Sequence, residues 1–170
     1  MNTSIHNTLP LHSTTWVYQS SRLFTETEAV EIAQRAKQFA AQWTAHKMGV
    51  AGDGDLVYNL FVVLMADEDV TGVSGCSIDS SVHFIKSLEK DYGVSFFARE
   101  NIAYLHNGQA NLCTLQEFRK KIETGELAEN TMVFDNLLSK KEQLMQHWMK
   151  PYNESRLRNL HIPEPLAFTL

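Results

Sequence analysis

An unbroken apolar run, from Leu60 to Ala66, constrains the fold of this chain more than any other feature of its sequence. A glycine-rich stretch, residues 47–55, precedes the run, and Asp67 follows it directly. This pattern is typical of a strand that is covered on both faces, whereas a half-exposed strand alternates apolar and polar residues. We therefore expect a central strand within Leu56 to Ala66, preceded by a loop over residues 47–55.

Four helices are predicted from capping residues and apolar periodicity. The first has a capping box, Thr25 with Glu28, and apolar residues then recur at three- and four-residue spacing on one face. We expect this helix to extend to about His46. The other three follow the predicted caps Ser77, Thr114 and Ser139, and the first two of these end before Gly93 and Gly125.

Strands are also predicted where β-branched and aromatic residues cluster, at Thr14 to Gln19, Val94 to Ala98 and Thr131 to Phe134. Asn107-Gly108 predicts a hairpin turn, because both residues tolerate a positive φ. A hairpin requires antiparallel neighbours, whereas the early strand-helix-strand units allow parallel pairing. We therefore expect a single-domain α+β fold with a mixed β-sheet of four to six strands and about four helices packed on it. The domain is expected over residues 14–150, between a flexible N-terminal segment, 1–13, and an extended C-terminal tail, 151–170.

Composition narrows the classes of function. The chain has 170 residues and a formal net charge of −5, which argues against a general nucleic-acid or membrane-surface binder. The lysine pair Lys140-Lys141 is interpreted as part of a solvated helix face. Two cysteines, Cys76 and Cys113, are too few for a disulfide framework, so both are expected to be reduced. No apolar run approaches the roughly 20 residues of a membrane span and no signal-peptide pattern is present, so a cytoplasmic location is expected.

The octapeptide Ser74-Gly-Cys-Ser-Ile-Asp-Ser-Ser81 places Cys76 between an apolar strand and the predicted second helix. Unpaired N–H groups at a helix N-terminus favour negative charge, so a thiol there can have a lowered pKa and act as a nucleophile. The candidate catalytic residues are Cys76, His46 as its base, and Asp79. The candidate ligand-binding residues are Ser74, Gly75, Ser77, Arg99 and Arg22. The alternative is structural, with Cys76 a small buried residue at a tight turn and Asp79 complementing the helix dipole.

Other motifs favour neither a metal nor a cofactor. The segment Asp67-Glu-Asp-Val-Thr-Gly72 resembles the nucleophile loop of haloacid-dehalogenase-type phosphatases, but no later pair of acids follows an apolar strand to hold magnesium. A calcium loop would need an acid where Ile78 stands. We interpret the segment as acidic turn residues in water, whose charge would raise the pKa of a nearby thiol. Zinc-type histidine spacing, a phosphate-binding loop and a dinucleotide motif are all absent from the sequence.

Several segments must be taken together to suggest a family. They are Trp16-Val-Tyr-Gln, Arg22-x-Phe24-Thr, Trp43-x-x-His46, Ser74 to Ser81, Arg99, Thr131-Met-Val-Phe-Asp-Asn136 and Trp148-x-x-Pro151. Over about residues 8 to 158 the chain resembles a family of small uncharacterised bacterial proteins that are often labelled ABC transporter ATPases. The octapeptide is the most specific element of the resemblance, which implies no established activity. The transporter label conflicts with this sequence because the phosphate-binding loop is missing.

Three functions are compatible with these residues. The first is a small-molecule or anion site at the amides around Cys76, with Arg99 or Arg22 as counter-charge. The second is a thiol enzyme in which Cys76 attacks an electrophilic carbon or sulfur, His46 is the base and the same amides hold the oxyanion. The third is a protein-interaction module that exposes Trp16, Tyr18, Trp148 and Tyr152 on one face. We rank binding above catalysis, and both above an interaction module.

Overall fold

The structure is a computed structural model that describes residues 8–45, 48–49, 51–67, 75–98 and 100–160, with the backbone alone at 44–45, 48–49 and 75–77. Helices, strands and two short 3-10 helices alternate along the described ranges. In chain order they are β1 Thr14–Gln19, α1 Glu26–Gln42, β2 Thr44–Ala45, β3 Met48–Gly49, β4 Gly52–Val57, β5 Phe61–Ala66, α2 Gly75–Tyr92, β6 Asn101–His106, β7 Gln109–Thr114, α3 Leu115–Glu123, β8 Met132–Phe134, α4 Lys141–His147, β9 Met149–Pro151, and the 3-10 helices Tyr152–Glu154 and Arg156–Asn159.

The apolar run forms β5, the middle strand of an antiparallel sheet with the order β1-β5-β4. All six residues of β5 are buried, which confirms the prediction of a central strand. Its side chains alternate between two cores. Val62, Leu64 and Ala66 face the core that contains α1 and α2, while Phe61, Val63 and Met65 face a second sheet.

Four layers result from this double burial. The second sheet has the order β7-β6-β8-β9, and its outer face is covered by α3 and by the residues of the 3-10 helices. The fold is therefore α+β, with four α-helices among the described residues, as predicted. The prediction of a single mixed sheet is wrong. Every strand pair in the described ranges is antiparallel, and the strands form two sheets and the two-residue pair β2-β3. The second face of β5 is covered by the second sheet together with Leu144 of α4.

Strand β4 lies where a loop was predicted. Its sequence, Gly-Asp-Gly-Asp-Leu-Val, has low strand propensity, yet it pairs with β5 along its whole length. The connecting turn holds Tyr58 and Asn59 at φ values of 56° and 51°, in the left-handed region that directs a tight hairpin. The glycines are needed because α1 lies on the strand: a Cβ at Gly54 would stand 2.7 Å from the carbonyl oxygen of Ala36.

Some of the helix boundaries lie at the residues that the sequence predicts, and others do not. The capping boxes at Thr25 and Thr114 and the positive φ of Gly93 after α2 are all present. Helix α1 ends at Gln42 and not near His46, because Trp43 turns into an extended conformation. Helix α2 begins at Gly75, so that Ser77 lies inside its first turn and is not its cap.

Three further predictions differ from the structure. Residues 94–98 are not a strand; the segment lies against the connection between β1 and α1, with the Ser21 N–H donating to the carbonyl of Ser95. Helix α4 has Lys140, not Ser139, at its N-cap position. Lys141 is buried and donates to the carbonyl of Leu9 at 2.6 Å, so the lysine pair is not a solvated face.

Both ends of the described chain belong to the packed structure. Ser13 is fully buried at the N-terminal side, where a flexible segment was predicted. Tyr152 and Leu157 are buried against Phe118 of α3, so residues 151–160 do not run as an extended tail. Arg119 of α3 donates to the carbonyls of Leu157, Arg158 and Leu160 and fixes this last segment. None of the helices in the described ranges has the length and apolar character that crossing a bilayer requires.

Candidate functional site

A cleft of about 480 Å³ opens where the end of β1, the start of β6 and the end of β8 meet. Its volume lies in the range of small-ligand sites. Ten of its fifteen lining residues are apolar: Val17, Phe96, Phe97, Ala98, Ile102, Ala103, Phe134, Leu137, Leu157 and Leu160. Three of them are well exposed at the rim, Phe97 at 46%, Leu137 at 69% and Leu160 at 40%. The rim therefore offers an apolar surface that nothing in the described structure covers.

A row of amide hydrogen bonds crosses the cleft. The indole Nε1 of Trp148 donates to Oδ1 of Asn136 at 3.0 Å, and Nδ2 of Asn136 donates to Oε1 of Gln19 at 3.0 Å. Nε2 of Gln19 then donates to the carbonyl of Asn101 at 2.9 Å. Each amide nitrogen carries two hydrogens and uses one of them in this row. The remaining donors of Gln19 and Asn136 are available to a ligand.

The row is anchored in the aromatic core between the two sheets. The ring of Trp148 is buried, with centroids 5.0 Å from Phe61 and 5.2 Å from Phe134. Such packing restricts the indole to one orientation, so that its N–H stays directed at Asn136. The polar groups of the cleft are therefore held by side chains of the core.

Arg156 supplies the positive charge of the cleft. Its Nε donates to Oδ1 of Asp135 at 3.2 Å, and its side chain is 45% exposed. The two Nη groups have no partner among the described residues. Because a guanidinium presents a planar fork of donors, these two groups suit a carboxylate or a similar anion.

Tyr18 connects the cleft with α2. The Tyr18 side chain lies close to Ser81 of α2, and burial raises the pKa of Tyr18 above its ordinary value. Ser81 lies five residues after Cys76, about 7.5 Å along the axis of the helix. Strand β1 therefore lies beside the N-terminal half of α2, the region in which the sequence predicts a site.

Most of the predicted site residues either lie outside the described residues or have only their backbone described. His46, Ser74 and Arg99 lie outside the described residues. Gly75, Cys76 and Ser77 form the first turn of α2, where only the backbone is described. The catalytic and ligand-binding roles given to these residues stay predictions.

Asp79 and Arg22 are the predicted site residues whose side chains are described. Asp79 is exposed, and its carbonyl is 2.7 Å from Nδ1 of His83. Arg22 pairs with both oxygens of Glu28 and donates to the carbonyl of Tyr92. Tyr92 is the last residue of α2, about 24 Å along the axis from Cys76. The structure therefore places Arg22 far from Cys76, contrary to the prediction.

The other residues singled out from the sequence have structural surroundings. Asp67 is buried, with Oδ1 3.5 Å from Nε2 of His12, and is not an acidic turn residue in water. Trp148 and Tyr152 are buried and Trp16 and Tyr18 half-buried, so they form no exposed aromatic face. Burial, with a smaller contribution from Glu117, raises the pKa of the Cys113 thiol to about 11. The described residues contain no cluster of metal-ligating side chains.

Comparison with known proteins yields no match to a protein-family model, to a curated protein or to a solved structure. The cleft is therefore interpreted from its own residues. Sequence reasoning missed Gln19, Asn136 and Arg156 as site residues. The available signal was weak: Gln19, Asn136 and Trp148 each lie in a segment that carries the resemblance, but no motif joins them.

Proposed function

We propose that this protein is a binding module whose cleft takes an amphiphilic anion, a small molecule with an apolar body and one carboxylate or similar acidic group. One observation carries the proposal: apolar walls and the guanidinium of Arg156 face the same cleft of about 480 Å³. The apolar body would displace water from the walls, and the acid would accept from the two Nη groups. The free amide hydrogens of Gln19 and Asn136 supply further donors.

The described lining supports binding more than catalysis. It contains no thiol, carboxylate or imidazole, and its one hydroxyl belongs to Tyr18. Because burial raises the pKa of that phenol, it stays protonated at neutral pH. General acid–base catalysis needs a group that titrates near the working pH, and this part of the cleft offers none.

Calorimetric titration with octanoate and with octanol tests the proposal. Both ligands have eight carbons and a similar alkyl chain, but only octanoate carries the charge that Arg156 can meet. We expect octanoate to bind more tightly than octanol, and Arg156→Gln to weaken octanoate about five- to tenfold while leaving octanol unchanged. Arg156→Lys should retain part of the preference, because it keeps the charge but loses the fork.

Arg158→Gln is the matched control, since Arg158 lies two residues away and donates to the carbonyl of Asn153 outside the cleft. It should leave octanoate binding unchanged. The proposal is overturned if octanoate does not bind, or if the two arginine variants weaken it equally.

A second candidate function concerns Cys76, as an anion site or as a nucleophilic thiol. It is supported by the start of α2 at Gly75, because the N–H groups of a first helical turn lack intrahelical partners. A thiol titration against pH tests it, with Cys113→Ser as background. The background variant removes the Cys113 thiol, whose pKa of about 11 would otherwise add a second titration at high pH. A Cys76 pKa below about 7 would support the thiol enzyme, and a value near the roughly 8.5 of a free thiol would remove it.

We also propose a cytoplasmic location and membership of the family of small bacterial proteins that the sequence resembles. The free thiol of Cys113 supports the first of them, because reduced cysteines are usual in that compartment.

A further inference from the structure

Strand β1 has an open edge inside the cleft. Three consecutive residues, Val17, Tyr18 and Gln19, line the cleft, although consecutive side chains of a strand point to opposite faces. A cleft that touches all three must therefore run along the edge of the strand, where its main chain is accessible.

Hydrogen bonds show which main-chain groups face this edge. The Thr15 N–H donates to the carbonyl of Ser139, away from β5, and the Ser20 N–H donates to the carbonyl of Leu60, on the β5 side. Because N–H groups alternate in direction along a strand, those of Val17 and Gln19 point the same way as that of Thr15. Neither has a main-chain partner in the described ranges.

The neighbouring segment leaves β1 before it reaches these groups. Lys140 forms a bridge to Thr14, and continuation of this pairing would place the preceding residues beside Val17 and Gln19. The chain instead diverges, so that the side chain of Asn136, not its main chain, meets Gln19. Among the described residues, none occupies the position for one more strand beside β1, between apolar walls.

We propose that the ligand of the cleft is an extended peptide that pairs with β1 at Val17 and Gln19, with apolar side chains at alternate positions and one carboxylate directed at Arg156. This inference rests on the proposed function, and it names the chemical class of the ligand. Strand addition supplies affinity through main-chain hydrogen bonds and specificity through alternate side-chain positions. The free Nη groups of Arg156 provide the complementary charge. A second acid in the peptide is disfavoured by two carboxylates of the protein. They are Asp135, which accepts from Nε of Arg156, and the exposed Glu100.

The test uses a fluorescein-labelled, C-terminally amidated heptapeptide, Thr-Leu-Thr-Phe-Thr-Leu-Glu-NH₂, and two N-methylated twins. One twin is methylated on its threonines, and the other on its leucines and phenylalanine. Only alternate N–H groups of an added strand face β1, so we expect one twin to lose tenfold or more in affinity and the other to bind like the parent. Equal affinities of the twins, or equal losses, would overturn the inference.

Two protein variants complete the test. Val17→Pro removes the outward N–H, at an edge position where proline is tolerated, and should weaken the peptide about tenfold. Val17→Ala retains the N–H and is the matched control. If octanoate binds but the peptide does not, strand addition fails while the proposed function stands. If neither binds, both fail.

Discussion

Replacing Asn136 by alanine should destabilise the protein because Asn136 connects Gln19 of β1 with Trp148, the residue that follows α4. The change removes the bonds of Asn136 to Trp148 and Gln19, both 3.0 Å long. Each such bond contributes about 1 kcal/mol, and the indole N–H of the buried Trp148 is then left without its partner. We expect a loss of about 2–3 kcal/mol in the free energy of unfolding, or about 5–10 °C in Tm for a chain of this size.

Guanidinium denaturation followed by far-ultraviolet circular dichroism measures this loss. Asn111→Ala is the matched control, because the amide of Asn111 donates to Gln109 on an exposed hairpin, and it should cost less than about 0.5 kcal/mol. Repeating Asn136→Ala in a Trp148→Phe background should reduce its cost by about 1 kcal/mol, the coupling between the two side chains. A cost of Asn136→Ala no larger than the control, or a coupling of zero, would refute the reasoning.

Three further predictions follow from individual contacts. Gly54→Ala should cost about 1–3 kcal/mol in a denaturant titration, because its Cβ would stand 2.7 Å from the carbonyl oxygen of Ala36; an unchanged midpoint would contradict the packing of α1 on β4. The hydrogen bond from Arg22, followed by that from the Thr25 backbone, lowers the pKa of Glu28 to about 2 from 4.5. Ionised Glu28 therefore adds stability above pH 4.5 that is lost as the pH falls towards 2, and Glu28→Gln should remove this part of the acid dependence of Tm. In a Cys76→Ser background the remaining thiol, Cys113, should react slowly with a disulfide reagent at pH 8, because its pKa is about 11; a rate like that of a free thiol would contradict its burial.

Features encoded in short stretches of sequence were predictable. The central strand β5, the hairpin at Asn107-Gly108 and the capping boxes at Thr25 and Thr114 all depend on residues that lie within a few positions of one another. Local propensity and hydrogen bonding decide such features, so the sequence pattern is sufficient.

The two-sheet arrangement was not predictable in the same way. An apolar run shows that β5 is covered on both faces but does not show whether a helix or a sheet covers each face. Strand β4 was missed because its glycines, which indicate a loop by propensity, are required by the close approach of α1. Tertiary packing overrides local preference at that position.

The cleft could not be predicted from the sequence, because its residues are brought together only by the topology of the fold. Gln19, Asn101, Asn136 and Arg156 follow one another at separations of 82, 35 and 20 residues, and they meet because three strand ends converge beside the second 3-10 helix. None of them belongs to a motif with a known chemistry. Amides and arginines at the ends of strands are common on protein surfaces, so without knowledge of their neighbours they do not indicate a site.

The most direct test of the account is a titration of nitrogen-15-labelled protein with octanoate, followed by ¹H–¹⁵N correlation spectra. Trp148→Phe assigns the indole signal of Trp148, which reports on the amide row through Asn136. We predict that this signal and the side-chain amide signals of Gln19 and Asn136 shift together, while the indole signal of Trp43, buried in the core on the other side of the first sheet, does not. Saturating octanoate that leaves the Trp148 and Asn136 signals in place would contradict the claim that the cleft is the binding site.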